Sequence, residues 1–164
     1  MNVYITKLNG MFFMSTRQYM QHMVVDIAHP LGIREMGVYR YNTKAESVEN
    51  RGCRLDGIIA GINAGDVVIC QIPTGNGLEF ERVLIRRIKD YRGRIVMFVH
   101  NMEAIMEENL KGTLQDTIRM YNEAEVLIVP SYRMKQFLLT QGIRRGMKFV
   151  VQEIQDYMTQ LGFL

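Results

Sequence analysis

Val67-Val68-Ile69-Cys70-Gln71-Ile72-Pro73-Thr74-Gly75-Asn76-Gly77-Leu78-Glu79-Phe80 changes character twice in fourteen residues. Val67–Gln71 is a short apolar, β-branched run of the kind that forms a strand buried on both faces. Pro73 to Gly77 is a turn of small and polar residues. From Leu78 to Tyr91 the period becomes helical, with Phe80, Val83, Leu84 and Ile88 on one side and Gly93 as the C-terminal stop. The stretch predicts one strand-loop-helix unit, and the chain repeats that grammar on both sides.

Further strands are expected at Val3–Thr6, Gly37–Tyr41, Ile95–His100, Val126–Val129 and Lys148–Gln152. Helices are expected at Thr16–Leu31, with Ser15 or Thr16 as N-cap, and at Arg54–Ile62, which ends near a Gly65-Asp66 turn. Two more are expected at Gly112–Asn122 and at Tyr132–Gln141, the latter capped by Ser131 and stopped by Gly142. Glu153–Leu164 reads as the start of a last helix. Alternation throughout predicts an α/β fold, a Rossmann-like three-layer domain with a parallel sheet. At 164 residues and 48% hydrophobic, the chain suits a single domain over 1–164.

Composition narrows the function classes. The net charge of +3 permits an anionic ligand without demanding one. Cys53 and Cys70 have no zinc spacing, so no metal site is expected, and two thiols suit a reducing cytoplasm. The start of the chain has neither the basic nor the apolar part of a signal peptide. No apolar run approaches the ~20 residues of a membrane span. A cytoplasmic protein with no transmembrane segment is expected. The 13 methionines sit at helical spacing and read as core filler. The series Arg82, Arg86, Arg87, Lys89, Arg92 and Arg94 is interrupted by Glu79, Glu81 and Asp90. It reads as a solvated face rather than a nucleic-acid contact.

In an open parallel sheet, ligands gather at the carboxyl ends of the strands. The residues there are Asn9-Gly10 with Ser15-Thr16, the Thr74-Gly75-Asn76-Gly77 turn, His100-Asn101, and Pro130-Ser131. Each also has a plain structural reading as turn or cap. The Thr74–Gly77 turn lets backbone amides approach a phosphate or sugar, but no Gly-Lys-Ser/Thr follows, so it is not a P-loop. The dinucleotide fingerprint is missing after the first strand. His100 is the candidate for chemistry, since a histidine at a strand end can take a proton from a sugar hydroxyl near neutral pH. His22 and His29 read as structural or solvated.

Several runs together resemble a known family. They are Val3-Tyr4-Ile5-Thr6 through Asn9-Gly10 and Ser15-Thr16, Arg54-Leu55-Asp56-Gly57-Ile58-Ile59-Ala60-Gly61, and Gly65-Asp66-Val67-Val68. To these are added Gln71 to Phe80, Met97-Phe98-Val99-His100 and Tyr121 to Ser131. The chain is similar to the N-terminal domain of the streptococcal-type glucosyltransferase 3 family, GT-B enzymes of bacteria that act on serine-rich repeat adhesins. The resemblance implies the acceptor-side half of a GT-B fold, with a C-terminal donor-binding domain that has no counterpart before Leu164. It implies transfer of glucose from UDP-glucose to N-acetylglucosamine already on Ser or Thr. No cofactor is implied, UDP-glucose being a donor substrate. Asn9, Gly10, Ser15 and Thr16 would line the interdomain cleft, with Thr74, Asn76 and Gly77 shaping the acceptor pocket near His100, and with Asn101 and Ser131 on the same rim. The partners implied are a glycosylated serine-rich polypeptide acceptor and, in a homo-oligomer, further copies of the chain.

The chain departs from the family pattern twice. Asn101 stands where an Asp follows the histidine, and an amide cannot serve as a base. Gly75 stands where a bulky aromatic is expected, which removes a stacking platform. The expected function is the acceptor-side domain of a glucosyltransferase, inactive alone. The alternatives are a non-catalytic glycopeptide-binding or assembly module, and a stand-alone small-molecule binding domain.

Overall fold

The computed structural model describes residues 1–10 and 16–153, the side chain of Lys111 excepted. The expected cap at Ser15 and the helix expected beyond Glu153 lie outside the described residues. The strands are β1 (Val3–Asn9), β2 (Arg34–Tyr39), β3 (Val67–Ile72), β4 (Arg94–Val99), β5 (Val126–Val129) and β6 (Lys148–Val151). They form one sheet in the order β2-β1-β3-β4-β5-β6, and every neighbouring pair is parallel. The expected α/β three-layer domain is what the chain forms. Because all strands point the same way, the turns after β1, β3, β4 and β5 emerge on one edge.

The helices are α1 (Thr16–Ala28), α2 (Val48–Ile59), α3 (Leu78–Asp90), α4 (Glu103–Met106), α5 (Leu114–Tyr121) and α6 (Tyr132–Thr140). α1 packs Met23, Val24 and Ala28 onto the sheet face bearing Ile5 and Phe98. The opposite face takes Leu55 and Ile59 of α2, Phe80, Leu84 and Ile88 of α3, Ile118 and Tyr121 of α5, and Leu138 of α6. Each such side chain taken fully out of water contributes about 1.5–3 kcal/mol. Six methionines (23, 36, 97, 102, 120 and 147) are buried, so the described ones are largely core filler, with Met1 and Met106 exposed.

Several boundaries differ from the expected ones. α1 ends at Ala28 and tightens into a 3-10 turn at His29–Leu31, because Pro30 has no N–H to continue the helix. β2 begins at Arg34 and ends at Tyr39. α2 starts six residues before Arg54, where the Ser47 side chain accepts a hydrogen bond from Asn50 N–H. A short α4 and a 3-10 turn at Glu108–Thr113 precede α5, which begins at Leu114 rather than Gly112. At the end of α3 the left-handed residue is Arg92 (φ 58°), not Gly93. Gly93 is needed for space, since a Cβ there would stand 2.8 Å from Ile88 Cγ2 and 3.0 Å from Ile88 O.

Candidate functional site at the carboxyl edge of the sheet

β1 is the point at which the strand order reverses direction, with β2 on one side and β3 on the other. In open α/β sheets this is where ligands enter. Here the two strands part. β1 pairs with β3 only over Val3↔Val67, Tyr4↔Val68 and Ile5↔Ile69, while its pairing with β2 continues to Asn9↔Tyr39. Past Ile5 and Ile69, side chains replace the backbone ladder. Gln71 N–H donates to Thr6 Oγ1 at 2.7 Å, and Gln71 Nε2 donates to Thr6 O at 2.6 Å.

The same amide orients His100. Gln71 Nε2 also donates to Gln21 O (3.1 Å), so its carbonyl oxygen is the atom 2.8 Å from His100 Nε2. That imidazole nitrogen must therefore carry the hydrogen, which leaves Nδ1 as the bare, accepting nitrogen. The ring stacks on Phe98 at 4.6 Å between centroids. Burial pulls its pKa down to about 4, so it is neutral at pH 7. Gln21 in turn donates to Pro73 O at 2.8 Å, tying α1 to the loop after β3.

That loop is held from the other side by Glu81. Its carboxylate Oε1 accepts from Thr74 N–H (2.5 Å) and Thr74 Oγ1 (2.9 Å). Asn76 carries the connection to β2: its Oδ1 accepts from Tyr41 N–H (3.2 Å) and its Nδ2 donates to Tyr39 O (2.9 Å). Thr74 and Asn76 are buried and face these partners, so their side chains shape the loop. Gly75 and Gly77 take left-handed φ of 77° and 87°.

Among the predicted residues, Thr16 and Gly77 line an open cleft of about 550 Å³, together with Arg17, Arg40, Gly75, Glu103 and Glu107. A Cβ at position 75 would lie 3.1 Å from Arg17 Nη1 and 3.5 Å from Arg40 Cδ. The space of the expected aromatic is thus filled by two arginine side chains, whose guanidinium planes also suit a sugar or base ring. Arg17 is paired with Glu103 at 2.6 Å. Asn9 ends β1, with its carbonyl accepting from Arg40 N–H at 2.8 Å. Gly10, at φ 80°, lies so close to Arg40 that a Cβ would stand 3.0 Å from its carbonyl oxygen. Asn101 lines a smaller cavity of about 80 Å³ with Glu81, Glu103 and Tyr121, and its buried Oδ1 has no hydrogen-bond partner among the described residues. Ser131 accepts from Met134 N–H at 3.1 Å as the cap of α6 and lines neither cavity.

Compared with known proteins, residues 2–154 match the family described as "Glucosyltransferase 3-like, N-terminal domain". The chain belongs to this family. It is 41% identical over 160 residues to Glucosyltransferase 3 of Streptococcus parasanguinis, covering 98% of this chain and 48% of that protein. It is 36% identical over 157 residues to Glucosyltransferase 3 of Streptococcus gordonii, covering 96% of this chain and 47% of that protein. The chain spans about half the length of the relatives it matches.

In this glucosyltransferase 3-like domain, the residues that sequence reading missed are the ones that hold the loops. Gln71 reads from sequence as the end of a strand and the first residue of a family-like run, with no role at the site, and nothing in the sequence pattern singles out Arg17 or Arg40. Glu81 was assigned to a solvated charge series, yet it is 4% exposed. A signal existed: Glu81, Leu84, Ile85 and Ile88 share one apolar stripe at steps of three, one and three, which puts the carboxylate on the buried face. The rest of the series behaves as surface. Arg82 pairs with Glu79 (3.9 Å), Arg87 with Asp56 (3.0 Å), Lys89 with Glu123, and Arg94 with Glu125 (2.7 Å). Both cysteines are free, and burial pushes the Cys70 thiol up to about 12. Among the described residues, no helix is long and apolar enough to cross a membrane, and no cluster of His, Cys, Asp or Glu has metal-site geometry.

Proposed function

We propose that this chain is the acceptor-side lobe of a glucosyltransferase that moves glucose from UDP-glucose to N-acetylglucosamine carried on Ser or Thr of a serine-rich repeat glycoprotein. The observation that carries this reading is the open cleft of about 550 Å³ at the carboxyl edge of the sheet, where Thr16, Arg17, Arg40, Gly75 and Gly77 come together beside the parting of β1 and β3. An opposing lobe that binds the nucleotide would close the cleft and exclude water from the transfer. The acceptor sugar lies against Gly75, Gly77, Arg17 and Arg40. The bare Nδ1 of His100, on the same edge, takes the proton as the acceptor hydroxyl attacks the anomeric carbon and the bond from that carbon to the β-phosphate oxygen breaks, UDP departing towards the opposing lobe. The lobe works in the cytoplasm, binds its glycosylated polypeptide there, and does not turn over alone.

A second reading, a glycopeptide-binding module without transferase activity, draws support from two details. Asn101 supplies no carboxylate beside His100, and a histidine with a pKa of about 4 is a weak base. Calorimetric titration of the chain with a GlcNAc-modified Ser/Thr peptide and with UDP-glucose tests both. Binding of the peptide, with no glucose transfer by the chain alone, is expected. Fusion to the C-terminal half of the Streptococcus parasanguinis relative then separates the readings: transfer by the fusion supports the enzyme, and binding without transfer supports the module. Transfer by the 164 residues unaided would overturn the half-enzyme view, and absence of any peptide binding would overturn both readings.

A further inference from the structure

The turn after β3 is the part of the cleft whose shape depends on one side chain reaching it from beneath. Thr74 directs both its N–H and its hydroxyl at a single atom, Glu81 Oε1. Two donors on one oxygen is an arrangement suited to an ionised carboxylate, for which such bonds are roughly twice as strong as between neutral groups. From Thr74 the linkage continues: its Oγ1 accepts from Asn76 N–H at 3.3 Å, and Asn76 is hydrogen-bonded to Tyr39 at the end of β2 and to Tyr41 just past it. Gly75 and Gly77, which line the cleft, lie inside this span.

We propose that Glu81 is a positioning residue for acceptor binding, its ionised carboxylate drawing the Thr74–Gly77 turn into the shape that receives the sugar. This rests on the acceptor-side reading given above. Glu81 itself stays below the cleft, in the wall of the 80 Å³ cavity, and touches no substrate. The charged and titratable groups that face it are Glu103 from α4, Arg17 from α1, Tyr121 from α5 and Cys70 from β3. Burial and Glu103 favour the neutral acid, whereas the Thr74 hydrogen bonds and Arg17 favour the carboxylate, and the balance falls at about 7. Tyr121 and Cys70 stay protonated across the neutral range, since burial raises both. The turn therefore tightens as pH rises through neutrality.

The experiment follows two signals in the same samples of the chain at half-unit steps from pH 6 to pH 8. One is the amide resonance of Thr74; the other is affinity for a GlcNAc-modified Ser peptide with blocked termini, which has no group titrating in that range. In the wild type the Thr74 amide should titrate with a midpoint near 7, and peptide affinity should rise about fivefold from pH 6 to pH 8. In Glu81→Gln both pH dependences vanish, and affinity at pH 8 falls about tenfold below wild type. Equal affinity of Glu81→Gln and wild type at pH 8 would overturn the positioning role while leaving the acceptor reading intact. A wild type that binds no peptide at either pH would overturn the acceptor reading and this assignment with it, even with Thr74 titrating. If Glu81→Gln does not fold, as thermal unfolding will report, the wild-type pair decides: an affinity that does not follow the Thr74 midpoint overturns the proposal.

Discussion

Two polar clusters flank the carboxyl end of β3, and they are opposites. On the α1 side, Gln71 joins Thr6, Gln21 and His100 in a neutral hydrogen-bonded network. On the α3 side, Glu81 holds Thr74 with a buried group that can ionise. Burial acts on both in the same way, by penalising charge, yet it moves the two pKa values in contrary directions, His100 down to about 4 and Glu81 up to about 7. One cluster is neutral around pH 7; the other holds a group whose charge changes there.

The comparison breaks most visibly at Gln71. Gln71→Leu leaves the buried His100 N–H without its acceptor and removes the side-chain donor to the Thr6 and Gln21 carbonyls, and should lower the unfolding free energy in urea by about 4 kcal/mol. A loss under 1 kcal/mol would mean the network is dispensable.

Next come the pH profiles. Glu81 has a folded pKa above its unfolded value, so its contribution is present at low pH and is lost as pH rises from 4.5 to about 7. His100 has a folded pKa below its unfolded value, so its contribution is present above 6.5 and is lost as pH falls towards 4. Between 4.5 and 6.5 the two slopes oppose, and the wild-type stability should be nearly flat. Glu81→Gln should unmask a rise with pH of up to about 3 kcal/mol across that window, and His100→Gln a fall of similar size. Urea unfolding at half-unit steps of pH measures both. Matching slopes in the two variants would refute the opposition.

A smaller effect is expected from Thr74→Val, which removes one of the two donors to Glu81 and the acceptor for Asn76 N–H. It should cost about 1 kcal/mol and raise the Glu81 midpoint further, as read from carboxyl chemical shifts. The smallest is at the surface. Arg94→Ala breaks an exposed, solvent-screened pair with Glu125 and should leave the urea midpoint where the wild type has it.

Much of the fold was legible because its strands are dense in β-branched residues and its turns fall at regular places. Val126–Val129 was placed to the residue, and the rim of loops follows directly from parallel strands. α2 was cut short because only Leu55 and Ile59 are buried in it, and the first turns, with Gly52, show no apolar stripe. α4 is four residues long, below the length at which periodicity can be read. Of the site, the residues at strand ends could be named, since topology alone directs them to one edge. What they bond to could not. Glu81 meets Thr74 only because the turn folds back over the start of α3, and Gln71 meets His100 only because β3 and β4 are neighbours.

The short seam between β1 and β3 has one more consequence. Three backbone pairings join a two-stranded panel to a four-stranded one, and beyond them Thr6 and Gln71 carry the contact through their side chains. At its mouth the gap is bridged by these two side chains, while the core packs across the seam behind them. A lineage can widen or narrow its mouth by exchanging those two residues, while the panels on either side keep their packing.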